Sequence, residues 1–428
     1  MDHFDLRGGV LHAEDVPLPE IAAAVGTPVY VYSSATIERH ARVFRKAVSA
    51  VDDPLIAYAM KANPNAAVLA TLARQGMGVD VVSEGELKRA LAAGISPDKI
   101  VFSGVGKTVE EMEFACRAGI YQFNLESEPE AETLSEVATR LGCEAPIAFR
   151  INPDVDAGTH AKISTGKSEN KFGIARARAL AAYARAAKLP GLRIQGITVH
   201  IGSQLTDLAP LEKAFETLGR LIGDLRNEGH QISVADLGGG LGVPYDLGKP
   251  LPPSPAAYGE MVARVTRGWD VRLVFEPGRV IVGNAGILLT RVVRVKDSAG
   301  AGAPFVIVDA GMNDLMRPSL YDAWHAIRAV EPRGGQGVVN VVGPVCETGD
   351  TFATGREMDH VEAGDLVAFM TAGAYAATMA STYNSRPLTP EVMVSGNRFA
   401  VVRDRQKIEA LISADLMPPW LVDMQEKE

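Results

Sequence analysis

At 428 residues, with 47% hydrophobic and 22% charged side chains, the chain has the composition of an ordinary globular protein and the length for two or three domains. Its 43 basic against 52 acidic residues leave a net charge of −9, which argues against a nucleic-acid surface. No apolar run approaches the ~20 residues that span a bilayer, and Met1–Arg7 lacks a charged and then apolar leader. Cys116, Cys143 and Cys346 show no metal-ligand spacing, so we expect reduced thiols in a cytoplasmic protein with no bound metal.

Residues 1–26 carry no identifiable chemistry. Thr27–Tyr32 reads as a strand and Ser34–Val51 as a helix. Eight strand-like runs follow, near Leu55–Ala59, Val79–Val82, Ile100–Ser103, Tyr121–Leu125, Ile147–Arg150, Ile194–His200, Val234–Leu237 and Leu273–Glu276. Stretches of helical period separate them, and Ser83 with Glu86, Thr108 with Glu111 and Ser127 with Glu130 have the spacing of capping boxes. An open doubly wound sheet gives the same alternation, but eight strands over some 250 residues favour a (β/α)8 TIM barrel. After about 288 the pattern turns mostly β, with strands expected at Leu288–Lys296, Phe305–Val308, Val338–Val342, Leu366–Met370 and Phe399–Arg403. The expected domains are a barrel over 27–287 and a second, mostly β domain from 1–26 with 288–428. Segments 153–173 and 311–336 read as long functional loops.

Polar residues fall where the strands end, which in a barrel is where active sites are built. Lys61 follows the first strand in Ala-Met-Lys-Ala-Asn; there, desolvation would lower the pKa of its amine and free the nucleophile for a Schiff base with an aldehyde cofactor. Asp80 and Ser83 end the second strand, Arg150 and Asn152 the fifth, and His200 the sixth. The run Gly238–Gly242 after the seventh is a candidate anion nest for phosphate, with Asp236 before it a turn or support residue. Glu276, opening Glu-Pro-Gly-Arg, is placed to hold a cofactor ring nitrogen in its protonated form or to pair with Arg279. Further on, Arg317 and Tyr321 share one loop, the former suited to a bidentate carboxylate. Cys346 and Glu347 set a proton-donating thiol beside a carboxylate that can bind an ammonium. Gly373-Ala374-Tyr375 offers a phenol on a loop.

Together, Ala-Met-Lys-Ala-Asn, His-Ile-Gly-Ser-Gln, Gly-Gly-Gly-Leu-Gly, Glu-Pro-Gly-Arg, Cys-Glu-Thr-Gly-Asp and Gly-Ala-Tyr resemble the meso-diaminopimelate decarboxylases, from about residue 4 to 420 and in the same order. These are alanine-racemase-like, fold type III enzymes that use pyridoxal 5'-phosphate. The resemblance implies that Lys61 carries the cofactor, that His200 stacks on its ring, and that Ser203, Gly239, Gly240, Glu276, Pro277, Gly278 and Arg279 bind its phosphate and pyridine nitrogen. It implies substrate binding by Arg279, Arg317, Tyr321 and Glu347, contact of Tyr375 with both molecules, and a proton from Cys346. It further implies a homodimer, because in the family Cys346 and Glu347 serve the partner's site, and decarboxylation of meso-2,6-diaminopimelate to L-lysine as the last step of lysine biosynthesis. One departure is Thr348, where the family usually has Ser. Two rival readings are a related decarboxylase of ornithine, arginine, lysine or carboxynorspermidine and a non-catalytic pyridoxal phosphate-binding protein. The first rival families generally carry Asp where this chain has Glu347. Inactive homologues tend to lose the lysine or the cysteine, and Lys61 and Cys346 are both present.

Overall fold

The computed structural model describes residues 2–156, 165, 171–246, 248–298, 300 and 302–422. The chain divides into two units, one of Met1–His3, Ser33–Gly286 and Thr371–Thr378, the other of Phe4–Tyr32, Ile287–Met370 and Met379–Glu428. The Tyr375 segment therefore groups with the first unit, although sequence alone placed it with the β-rich end. Most of the expected 153–173 loop lies outside the described residues.

In the first unit, runs such as Leu-Ile-Ala-Tyr-Ala are buried along their whole length, as strands covered on both faces must be. Eight parallel strands form: β1 Leu55–Ala59, β2 Gly78–Val81, β3 Ile100–Phe102, β4 Gln122–Leu125, β5 Ala145–Asn152, β6 Leu192–Thr198, β7 Val234–Asp236 and β8 Arg272–Phe275. Each pairs with the next, β8 returns to β1 through Val274 beside Leu55, and β4 joins β5 through Phe123 beside Ile147, so the sheet closes as a TIM-type barrel. Helices lie between the strands. Thr108 and Glu111 make a complete capping box. Ser83 and Ser127 cap their helices, but Glu86 and Glu130 reach one residue further back, to the amides of Val82 and Glu126.

Residues two apart on a strand share a face. Leu55, Ala57, Val101, Val234 and Val274 form one buried apolar cluster. Two residues beyond Val234 and Val274 on the same faces come Asp236 and Glu276, so the faces that pack the barrel turn acidic at the strands' C-terminal ends.

The second unit is built on a nine-stranded sheet, mostly antiparallel. Its main path runs Thr351–Asp359, Gln336–Val342, Phe305–Val308, Gly286–Lys296, Val29–Ser33, Glu391–Ser395, Arg398–Arg403. Leu366–Phe369 pairs with Gly286–Lys296 and with Ile327–Ala329. The strand expected at 27–32 thus belongs to this sheet and not to the barrel. Residues 4–25, featureless in sequence, supply a three-stranded sheet and a helix whose Leu11, Leu18 and Ile21 pack with Val29, Ile287 and Leu289. Among the described residues no helix is long and apolar enough to cross a membrane.

Most ion pairs, such as Arg7–Asp15, are exposed and contribute ~1 kcal/mol at most. Lys107–Glu130 differs: the side chains are 1% and 9% exposed, and the amine also donates to the carbonyls of Gly104 and Asn124, both at 2.7 Å. Lys107→Met would strand the buried Glu130 carboxylate, and a loss on the order of 3–5 kcal/mol is expected in urea unfolding. A wild-type midpoint would contradict this.

Candidate active site

Lys61 lies in a single 3-10 turn, Met60–Ala62, directly after β1. Its Nζ donates to Asp80 Oδ2 at 2.7 Å; the lysine side chain is 38% exposed and the aspartate fully buried. Desolvation pulls the lysine pKa down, but Asp80, Glu276 and Tyr375 more than reverse it, and the net shift is upward. Sequence suggested a lowered pKa; the carboxylate on β2 is what makes the difference. In the free chain this amine is a held cation.

Beside it lies a network of buried polar groups. Asn124 Nδ2, on β4, donates to Asp236 Oδ2 at 2.9 Å and Glu276 Oε1 at 3.3 Å, and Ser103 Oγ lies 3.5 Å from Glu276 Oε1. Burial first, then repulsion by Asp236 and Asp80, drives the Glu276 pKa well above the carboxylate range. Burial pushes Asp236 up to about 6, against hydrogen bonds from Glu276 and Asn124 that hold it down. Glu276 is the more strongly raised of the two, so a proton held by the pair sits on Glu276 rather than on Asp236. Asp236 also accepts from the Gly238 amide at 2.9 Å, the supporting role read from the sequence.

The loops after β6, β7, β8 and β1 are stitched by their backbones: Glu276 N to Gly238 O at 2.7 Å, Ala59 N to Pro277 O at 3.1 Å, Leu205 N to Gly240 O at 2.9 Å. A Cβ on Gly239 would collide with the Glu276 carbonyl, and Gly240 has φ +117°, so both positions require glycine. His200 Nδ1 accepts the Gly239 amide at 3.2 Å. Burial, with Arg150 and Lys61 nearby, lowers its pKa well below the usual value, which leaves a neutral flat ring. Arg150 pairs with Glu126 at 3.0 Å and donates to the His200 carbonyl at 3.1 Å, and that carbonyl also accepts from Thr165 Oγ1 at 3.0 Å.

Gly278 precedes a four-residue helix that Arg279 opens. The Arg279 guanidinium donates to Ser203 Oγ at 3.0 Å and Tyr245 Oη at 2.5 Å, and lies 4.7 Å from the centroid of the Tyr375 ring. Tyr375 has φ +54°, strained for a bulky residue, and is held by its amide on the Ala62 carbonyl at 2.8 Å. Asn63 Nδ2 binds the Gly373 carbonyl at 3.1 Å. The structure thus assembles Lys61, His200, Ser203, Gly239, Gly240, Glu276, Pro277, Gly278, Arg279 and Tyr375 within one unit.

Arg317, Tyr321, Cys346 and Glu347 belong to the other unit. Arg317 opens the helix Arg317–Tyr321, is buried, and lies 3.1 Å from His325 Nε2, whose Nδ1 meets the Met370 carbonyl at 2.8 Å. Cys346 and Glu347 are exposed at the tip of a loop based on buried Asp350. Asp350 accepts the amides of Val345 and Met312, both at 2.6 Å, and Ser319 Oγ donates to the Gly349 carbonyl at 2.5 Å. The arginine loop and the thiol loop are therefore one construction. Sequence reading missed Asn124, Tyr245 and His325. Asn124 had left a signal, a polar residue in the apolar alternation Gln-Phe-Asn-Leu; the others come from loops with none.

Comparison with known proteins decides the family. The pyridoxal-binding domain of the pyridoxal-dependent decarboxylases matches residues 34–283. Diaminopimelate decarboxylase from Zymomonas mobilis is 57% identical over 420 residues, 98% of this chain and 99% of that protein. The chain belongs to the diaminopimelate decarboxylase family. The Vibrio cholerae member is 50% identical over 98% of this chain and 100% of its own. The crystal structure of the M. jannaschii enzyme in co-complex with L-lysine superposes with a TM-score of 0.94 at 36% identity, covering 98% of this chain and 99% of that one.

The family's cofactor is pyridoxal phosphate, and the barrel unit fits it. It offers an amine at a strand end, a buried neutral acid for a ring nitrogen and a neutral imidazole, beside a glycine loop packed backbone to backbone on the end of β8. Among the described residues, buried Asp80 Oδ1 has no hydrogen-bond partner, so the Lys61–Asp80 pair is only half satisfied.

The buried acid pair has a pH signature. Both carboxyls bind protons more tightly folded than unfolded, so their contribution to stability is best below the ordinary carboxylate range and declines as pH rises. Part of the decline falls between about pH 4, the unfolded value, and the Asp236 value of about 6. Glu276→Gln should lose less stability than wild type in urea unfolding as pH is raised from about 4 to 7. Parallel curves would show that the pair does not share a proton.

Proposed function

We propose that the protein decarboxylates meso-2,6-diaminopimelate to L-lysine and carbon dioxide with pyridoxal phosphate, as the last step of lysine biosynthesis. The observation that carries this reading is the juxtaposition in one barrel of the Lys61 amine, its Asp80 partner and the proton-bearing Glu276. Bound pyridoxal phosphate supplies an electron sink for the pair released when carbon dioxide leaves. Lys61 would anchor the cofactor, and Asp80 holds its free amine as a cation. Glu276, its carboxyl beside Asn124 and Asp236, would hold the ring nitrogen. His200, uncharged, covers the ring face without adding charge to the electron-rich site. Gly239, Gly240, Ser203 and the Pro277–Arg279 turn take the phosphate, and Tyr375 contacts cofactor and substrate together.

Arg279 and Arg317 receive substrate carboxylate, Tyr321 supports it, Glu347 reads the distal ammonium, and the Cys346 thiol returns a proton to the carbon that lost carbon dioxide. We place Cys346 and Glu347 in the site of a second copy, which makes the working form a homodimer. Supporting this are the exposed Ile408, Ile412, Leu416, Met417 and Trp420, apolar surface that a lone protomer leaves to water. A cytoplasmic location fits the unpaired cysteines.

Two outcomes are expected. Lys61→Ala should lose the visible absorbance of bound cofactor and nearly all turnover; decarboxylation at the wild-type rate would sink the assignment. In the wild type, kcat/KM for meso-diaminopimelate should exceed that for L-lysine or L-ornithine by large factors. A substrate without the second carboxylate forgoes a charge-assisted hydrogen bond to a buried arginine, a loss on the order of 1–3 kcal/mol. Equal or better turnover of lysine or ornithine would identify a different basic amino-acid decarboxylase.

A further inference from the structure

We propose that Asn384 is a positioning residue for proton delivery: its side-chain carbonyl grips the Cys346 backbone amide and so fixes the place from which the thiol acts. The inference rests on the proposed role of Cys346 as proton donor.

The loop Gly343–Asp350 is secured at its base, where Asp350 takes the Val345 amide and its own carbonyl takes the Gly343 amide at 3.0 Å. At the tip, Glu347 N turns back onto the Val345 carbonyl at 2.8 Å. Between these two anchors stands Cys346, and its amide donates to Asn384 Oδ1 at 3.0 Å. The neighbouring Tyr383 phenol lies beside Glu347, whose charge raises its pKa. The hydrogen bond from Cys346 to Asn384 is therefore what ties this segment to the thiol loop.

The backbone of that segment is unusual. Asn384 and Ser385 both have φ +55°, the left-handed region that L-residues seldom enter and that asparagine tolerates better than most. Strain of this kind marks places where the surroundings over-determine a conformation, often for function. The surroundings here are explicit. Ser381 N donates to the Asn313 carbonyl at 2.8 Å, and Arg386 Nε to Asn313 Oδ1 at 3.1 Å. Both ends of the Tyr383–Ser385 turn are thus pinned to the loop that leads into Arg317, the proposed carboxylate ligand. The thiol loop, the Tyr383–Ser385 turn and the loop before Arg317 are thus tied into one piece of backbone, which fixes where the thiol stands.

The step concerned is simple in its balance. The bond to the carboxylate breaks and its electron pair stays with the carbon side; the thiol S–H bond breaks, a C–H bond forms, and the thiolate left behind takes a proton from water. Delivery from a fixed thiol reaches one face of the carbon, whereas a displaced thiol loses to solvent from either face.

The test is turnover in D2O, reading the configuration of deuterium at the former α-carbon of the lysine product together with kcat, KM and the melting temperature. Asn384→Ala should lower kcat roughly tenfold or more, the scale expected for a misplaced reacting group, with KM little changed and the deuterium scrambled. Asn384→Asp keeps the acceptor oxygen and should restore a single configuration and most of kcat. Asn384→Gln, whose amide is displaced by one methylene, should scramble like alanine and gives the second reading should the alanine variant not fold. Cys346→Ala is the control and should be slow and scrambled. If it scrambles while Asn384→Ala and Asn384→Gln keep one configuration, Asn384 is merely structural and the inference fails, whatever the loss in kcat. If Cys346→Ala itself retains wild-type rate and one configuration, the proton-donor reading falls and this inference with it.

Discussion

The barrel site depends on burying three carboxyl groups, Asp80, Asp236 and Glu276, around one amine. At 1%, 0% and 6% exposure the three acids cannot all stay ionised. The chain resolves this with one cation, Lys61 on Asp80, one retained proton on Glu276, and amide and backbone donors from Asn124 and Gly238 on Asp236. The glycine loop, the Pro277 turn and the Tyr375 segment are all hydrogen-bonded to the strand ends that carry these groups. The same arrangement leaves an amine and an acidic proton side by side where a pyridoxal ring needs both.

Much of the fold was legible because a closed parallel barrel buries both faces of every strand, which writes its strands as unbroken apolar runs. Leu-Ile-Ala-Tyr-Ala could hardly be read otherwise. The β-rich unit was harder. Thr351–Asp359 alternates weakly, Ile327–Ala329 is three residues long, and Phe4–Arg7 is buried at one residue of four. Val29–Ser33 had a strand's pattern, but pattern carries no information on which sheet a strand joins. The Tyr375 segment departs from its neighbours in sequence for a physical reason: its amide and the Gly373 carbonyl bond to the loop that follows β1.

The site residues divide in the same way. Lys61, Gly239, Glu276 and Arg279 stand at strand ends, where position alone argues for function. Partners that act through them, Asp80 excepted, stand out poorly. Asp236 looked like a turn residue and is one, yet its charge also keeps the proton on Glu276. Sequence reasoning about the Lys61 pKa went the wrong way because desolvation can be judged from an apolar strand, while a counter-charge nineteen residues later cannot.

Each unit holds half of the proposed chemistry, the barrel the cofactor residues and the β unit the thiol and the distal recognition groups. The most direct test of the proposal that one chain's barrel works with another chain's thiol is subunit complementation. Lys61→Ala and Cys346→Ala chains, each nearly inactive alone, are mixed under conditions where subunits exchange. Random pairing puts half of the dimers in mixed form, each with one intact site, so the account predicts recovery of about one quarter of wild-type decarboxylation. A mixture that exchanges subunits and stays inactive would contradict it.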